Sequence, residues 1–442
     1  LLGVIFKKAF ILSFILLLFM LVAKKMLLQL YILVGEKSFF LFSNSYALIL
    51  MLIMITVLVF KKIAFAKNTE ISIYYAPLLL LASLIGIFLV SSLYNGSTAF
   101  SYQHMFWIIF SSYFSTIFVL LTASLKINFL NYKVMSKITI FFSMFQCALG
   151  VYQYITLNPI FAVNYKGESV LNPIFYLNGT SSSNDYFLAL GAKIRAFGMT
   201  DSGLTLGLFA LLCLSILMFK KMNRLKKLLL VLFLISAVYM TLTRIVYLTL
   251  FLLLIYMFLL RKNQIKTAKF IYFCSLLIQV TYPLFIYKVI NIILGILSSH
   301  TFITIGSRIS GYSYFLQNVH LDIIKTLFGS NYVSHTVDFN TSFTVDNEFL
   351  KIFLDIGIVG YIIVMFIFTY YLFDALNCSK NARYNVSLYK GLVCFLLTFP
   401  FLGIVNVGNY FYFPCLLLLL LSKYNIENEN QSVTAQLDHT AR

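Results

Sequence analysis

Residues 228–260 read LLLVLFLISAVYMTLTRIVYLTLFLLLIYMFLL, with KKMNRLKK at 220–227 just before them and Arg261-Lys262 just after. Drawn as one straight helix, this stretch would be about 50 Å long at 1.5 Å per residue. A bilayer offers only about 30 Å of hydrocarbon. The one break in the apolar run is Thr241-Leu242-Thr243-Arg244. The length and the break predict two antiparallel helices joined by a tight turn at Thr243-Arg244. Both basic clusters then fall on one side of the membrane. Arg244 falls on the other, at the membrane face rather than in lipid.

The rest of the chain has the same character. Of its 442 residues 61% are hydrophobic and 11% charged, with a mean hydropathy of +0.92. An ordinary soluble domain is about a quarter charged. So much apolar surface excludes a water-soluble fold, whereas a bilayer accepts it as the outside of a helix bundle. The net charge of +19 would suggest nucleic acid in a soluble protein. Here the basic residues sit between apolar runs. They therefore read as orientation signals and contacts to anionic lipid, with no nucleic-acid partner expected. Cys147, Cys213, Cys274, Cys394 and Cys415 lie inside apolar runs and no CxxC occurs, a pattern of buried thiols rather than disulfides or a metal centre.

These observations predict an all-α polytopic membrane protein with about 12 transmembrane helices and two long outer loops. The expected crossings are 9–23, 41–60, 74–93, 105–125, 138–158, 203–219, 228–243, 245–260, 271–287, 352–373, 391–408 and 410–422. The run Ala9 to Ala23 ends on Lys24-Lys25 without a small-residue cleavage motif, so it is expected to be a retained helix rather than a signal peptide. With a cytoplasmic N-terminus, 22 of the 33 basic residues face the cytoplasm and 11 face outward, the bias of the positive-inside rule. Both termini are then cytoplasmic. The organisation is N-terminal helices over 1–158, a first outer loop over 159–202 and central helices over 203–287. A second outer loop over 288–351, C-terminal helices over 352–424 and a polar, disordered cytoplasmic tail over 425–442 complete it. Gly357 and Gly360 are expected to let a neighbouring helix approach closely.

The outer loops and their edges carry short motifs. The first loop ends in Arg195-Ala-Phe-Gly198, followed by Thr200-Asp-Ser-Gly203, and Thr241-Leu-Thr-Arg244 occupies the predicted turn. The second loop holds Gly306-Ser-Arg308 and Leu327-Phe-Gly329, then Asp346-Asn-Glu-Phe-Leu350 and Asp355-Ile-Gly-Ile-Val-Gly360. In order and spacing these pieces resemble the bacterial O-antigen polymerase–ligase superfamily, most closely its polymerase (Wzy) branch, which acts in O-antigen, capsule or exopolysaccharide assembly. The resemblance covers roughly 190–375. The ligases of the superfamily usually carry a histidine where this chain has Asp346, a departure that disfavours the ligase reading.

The resemblance implies a glycosyltransferase of the bacterial cytoplasmic membrane. Its substrate would be an oligosaccharide repeat unit on a polyprenyl diphosphate, joined to a second unit at the outer face. It also implies membrane lipids as surroundings, with a flippase and a chain-length regulator as partners. Such a transfer needs charge stabilisation on the leaving diphosphate and proton removal from the attacking hydroxyl. Arginine suits the first task, because its planar fork pairs with phosphate oxygens and stays charged. Arg195, Arg244 and Arg308 are the diphosphate-binding candidates. Each is open to a second reading, as a headgroup anchor for Arg195 and Arg244 and as a loop ion pair for Arg308. Asp346 is the candidate base, with His335 or His320 as substitutes. Asp346 and Glu348 equally suit the first turn of a helix. Asp355, deeper in the apolar pattern, is expected to pair with an arginine across the bundle. No Walker loop, dinucleotide fingerprint or zinc spacing is present in the sequence, so no cofactor and no metal are expected. Two other functions stay open: a ligase that moves the glycan to a different acceptor, and a polysaccharide or lipid-glycan transporter or flippase.

Overall fold

The computed structural model describes residues 8, 11–12, 15, 56, 74–95, 113–125, 132–156, 164–165, 168–169, 196–200, 203–279, 323–329, 348–381, 384, 386–402 and 411–440. The fold is all-α. In chain order it runs α1 (Tyr75–Asn95), α2 (Phe114–Leu125), α3 (Tyr132–Thr156), α4 (Gly203–Phe219), α5 (Arg224–Met240) and α6 (Arg244–Arg261). Then come α7 (265–279), α8 (Ile323–Phe328), α9 (Glu348–Cys378), α10 (Ser387–Leu396), α11 (Phe399–Leu402) and α12 (Phe413–Thr440). The one departure among the described residues is a two-residue antiparallel pair, β1 (Asn164–Tyr165) with β2 (Glu168–Ser169).

Three of these helices, Tyr132–Thr156, Arg244–Arg261 and Phe349–Cys378, are long and apolar enough to cross a membrane, and several more are apolar but shorter. Their outward faces confirm the membrane character. Leu248, Phe251, Leu254 and Phe258 form an exposed stripe on α6, and Ile358, Ile362, Phe366 and Tyr370 form one on α9. Steps of three and four residues put each set on one helical face. In water each such side chain would forgo about 1.5–3 kcal/mol of burial; against lipid nothing is lost. On α3 the usual polarity is reversed. Phe141, Phe145, Tyr152 and Ile155 point out, while Ser136, Thr139, Ser143, Gln146, Gly150 and Gln153 are buried.

The core is built around α4, apolar on all sides and buried over most of its length, as a helix enclosed by others must be. It packs most extensively on α10, then on α3 and α5. Gly391 of α10 sets the closest approach, because a Cβ there would lie 2.6 Å from the Ile216 Cα. Small residues at such crossings let backbones meet where lipid provides no hydrophobic drive for association.

Side-chain bonds at one end of the bundle tie several helices together. The Lys227 ammonium donates to the carbonyls of Met218 (2.7 Å) and Lys220 (3.2 Å), and Arg261 donates to Met218 at 3.0 Å. Lys269 donates to Asn377 at 2.9 Å, Tyr389 to the Ala375 carbonyl at 2.7 Å, and Lys423 to Asp374. Part of the basic cluster thus caps the exposed carbonyls at the C-terminus of α4, where cations suit the helix dipole. Burial, followed by the neighbouring Arg261, lowers the affinity of Lys227 for its proton below the ordinary lysine value. The starts of α4, α6 and α9 consequently lie at the opposite end of the bundle.

Three sequence expectations are revised. The run 391–408 is divided, with α10 ending at Leu396 and α11 starting at Phe399. Pro400 explains the break, since it has no N–H for the Leu396 carbonyl and its ring clashes there. The run 352–373 belongs to a helix that starts at Glu348 and is interrupted at Gly357, where φ is 67° and ψ −175°. Gly357 therefore serves a backbone break as well as a close approach. The tail from Asn425, expected to lack structure, continues α12 as helix to Thr440. The described parts of the two long loops are packed: 196–200 is buried throughout and 323–329 docks on α1 and α9.

Candidate functional site

The first motif forms a tight turn gripped by two glutamines of α3. The Gln153 side-chain carbonyl accepts from the N–H groups of Phe197 (3.2 Å) and Gly198 (2.8 Å), and its amide donates to the Gly198 carbonyl at 2.8 Å. Two turns earlier, Gln146 accepts from Met199 N–H at 2.9 Å. Thr200 closes the turn on Phe197, its N–H donating at 3.0 Å and its hydroxyl at 2.6 Å to the same carbonyl. Gly198 has φ +59°, and a Cβ there would meet the Gln146 carbonyl oxygen at 3.0 Å and Oε1 closer still. Both facts require glycine. In an apolar interior these side chains satisfy backbone groups that would otherwise cost about 1–3 kcal/mol each.

The gripped turn bonds directly to the second motif. Ala196 N–H donates to the Met240 carbonyl at 2.9 Å, and a Cβ on Gly203 would lie 2.9 Å from the Thr241 carbonyl oxygen and 3.2 Å from Thr243 Oγ1. The α5–α6 turn lies in the predicted break but earlier than Thr243-Arg244: it spans Thr241 to Thr243, with Leu242 at φ 48° and Arg244 already in α6. The Tyr247 hydroxyl reaches back across it to the Tyr239 carbonyl at 2.5 Å. Arg244 is the first residue of α6 and is exposed. A cation at a helix N-terminus opposes the dipole, at a cost of about 0.3–1 kcal/mol. Helix stability therefore does not account for an arginine at this position.

The late motifs meet in a second junction at the same end of the bundle. Gly329 and Gly357 face each other backbone to backbone. A Cβ on Gly329 would lie 2.6 Å from the Asp355 carbonyl carbon and the Ile356 nitrogen, and one on Gly357 would lie 2.5 Å from the Gly329 nitrogen. Ser91 of α1 donates to the Gly329 carbonyl at 3.0 Å. Asp355 is buried, and the Tyr113 hydroxyl donates to its carboxylate at 3.2 Å. The described donor is thus a tyrosine, where the sequence suggested an arginine. Lys351, one helical turn before Asp355, is also buried.

Of the sequence-predicted site residues, Arg244 is described and lies exposed at the start of α6. Glu348 begins α9, a first-turn position. Arg195, Arg308, Asp346, His335 and His320 lie outside the described residues. The sequence reading missed Gln146, Gln153, Tyr113 and Lys351. For the glutamines a signal was available: 136, 139, 143, 146, 150 and 153 are small or polar at helical spacing, opposite phenylalanines. Among the described residues no group of three His, Cys, Asp or Glu side chains is placed to hold a metal ion.

Comparison with known proteins adds no relative: no family model, no curated protein and no solved structure matches the chain.

Proposed function

We propose that this protein is a polysaccharide polymerase of the bacterial cytoplasmic membrane, joining polyprenyl-diphosphate-linked oligosaccharide repeat units at the outer face. A hydroxyl of one repeat unit attacks the anomeric carbon of the other. The bond from that carbon to the diphosphate breaks, and the lipid diphosphate leaves with the electron pair. The observation that carries this reading is the junction of 196–203 with 240–244, which leaves Arg244 exposed at the start of α6. The lipid anchor stays in the membrane while its diphosphate lies at the membrane face, where the guanidinium fork offers charge-assisted hydrogen bonds that strengthen as negative charge develops. Arg195 and Arg308 are proposed as further diphosphate ligands, and Asp346 or His335 as the base. In this orientation 220–227 and 261–270 face the cytoplasm.

The test is polymer formation by protein purified into lipid nanodiscs, supplied with a synthetic polyprenyl-diphosphate oligosaccharide. Arg244→Ala, at matched abundance, is expected to lower the rate by about 100-fold, the loss typical of one charge-stabilising donor. Arg244→Lys restores little if the fork matters rather than charge alone. Near-normal polymer from Arg244→Ala would overturn the role of this residue. A wild-type protein that consumes the donor without building a ladder would overturn the polymerase reading.

A further inference from the structure

We infer that Gln146 and Gln153 are positioning residues: by gripping the 196–200 turn they fix the α5–α6 turn and hence the site of Arg244. The inference rests on the proposed function for its catalytic consequence, but not for its mechanical one.

The chain of contacts is short. Gln153 engages the turn through three hydrogen bonds of 2.8–3.2 Å, using both ends of its amide. Gln146 adds a fourth at 2.9 Å from two helical turns away. The turn passes this constraint on through Ala196 N–H to Met240, the last residue of α5. It passes it on again through Gly203, which begins α4 against the carbonyl of Thr241. Arg244 follows three residues after Thr241. The grip is also selective by chemistry. An amide offers a donor and an acceptor from one planar group, and Gly198 together with its neighbour Phe197 presents two N–H donors and one carbonyl acceptor to it. Neither a carboxylate nor a hydrocarbon side chain of similar size satisfies all three. Two glutamines on the buried face of a helix whose other face carries phenylalanines are costly to place in a membrane unless their partners are fixed. Here those partners are backbone groups of a segment 44–53 residues further along the chain.

Two substitutions test this with opposite chemistry. Gln153→Leu keeps the volume and removes all three hydrogen bonds. Gln153→Glu retains them only while the introduced carboxyl is protonated, because the ionised form has no donor for the Gly198 carbonyl. Hydrogen exchange on the purified protein provides a readout that needs no substrate. Exchange in peptides covering 240–247 is expected to accelerate at least tenfold in Gln153→Leu, alongside 196–200. Phe145→Leu, on the lipid face of the same helix, should leave both segments unchanged. In the polymer assay Gln153→Leu is expected to lower kcat about tenfold per folded molecule with little change in KM. Gln153→Glu should show a new loss of activity with rising pH that the wild type lacks. Gln146→Met, which removes a single described bond, gives a milder form of both effects if Gln153→Leu does not fold.

Unchanged exchange over 240–247 in the folded variants would overturn the mechanical coupling. Accelerated exchange with unaltered kcat and no new pH dependence would overturn the positioning role while leaving the coupling intact. If the wild type forms no polymer from lipid-linked repeat units, the functional reading fails, and exchange still decides the coupling.

Discussion

Replacing Gly357 by alanine tests the junction that joins the late motifs. Gly357 interrupts α9 at φ 67°, ψ −175°, a region essentially restricted to glycine, where another residue costs about 1–3 kcal/mol. The added Cβ would also press on backbone. It would lie 2.5 Å from the Gly329 nitrogen, with the Leu327 carbonyl closer still. Backbone cannot swing aside as a side-chain tip does, so overpacking contributes a further 1–3 kcal/mol, roughly. The midpoint of the summed loss is about 4 kcal/mol, close to a thousandfold in the folded population at 1.4 kcal/mol per decade. If α9 instead straightens to accommodate alanine, Leu327–Gly329 is displaced and Ser91 loses its acceptor, which also destabilises the protein. Thermal unfolding followed with a thiol-reactive fluorophore suits this chain, because Cys147, Cys213, Cys394 and Cys415 are all buried free thiols. Two glycines provide internal controls. A Cβ on Gly86 meets no heavy atom within 4 Å, so Gly86→Ala should be neutral or stabilise by up to about 1 kcal/mol. At Gly360 the nearest atoms belong to the Ile356 side chain, at 2.7 Å, and Gly360→Ala should cost about 1 kcal/mol. A Gly357→Ala protein that melts together with Gly86→Ala would refute the backbone junction.

Other outcomes follow from single contacts. Gly207→Ala should destabilise the α4–α6 contact, since a Cβ there would lie 2.5 Å from Val246; Val246→Ala should recover at least half of the loss in the double mutant, and additive losses would contradict direct contact. Tyr113→Phe should lower thermal stability by about 1–3 kcal/mol, the range for removing one partner of a buried polar group, and an unchanged melting point would remove the Asp355 bond from the account. Single cysteines at Leu242 and Asn263, in a background lacking the native cysteines, should label from opposite sides of the membrane. In intact cells an impermeant reagent should reach the first and not the second, and the reverse pattern would invert the proposed orientation.

The sequence by itself determined the membrane class, the helix pair across 228–260, its turn and the exposed Arg244. These features are decided locally. Lipid accepts any sufficiently apolar helix, charge is held at its ends, and a run too long for the hydrocarbon must turn where polar residues permit. Only the tertiary structure decided which motifs meet. Gln146 and Gln153 show in the sequence only as members of a small or polar stripe, and the buried turn at 196–200 supplies their partners. Gly198 read as a loop glycine and Gly203 as the first residue of a crossing until the glutamine side chains and the Thr241 carbonyl occupy the space of their missing Cβ atoms. Gly357 read as a packing glycine, and the break in α9 became visible only with Leu327–Gly329 seated against it. Hydropathy records how much a residue prefers lipid. It holds no information about which distant backbone group satisfies a buried amide, because that choice is made by hydrogen-bond geometry between segments brought together by packing.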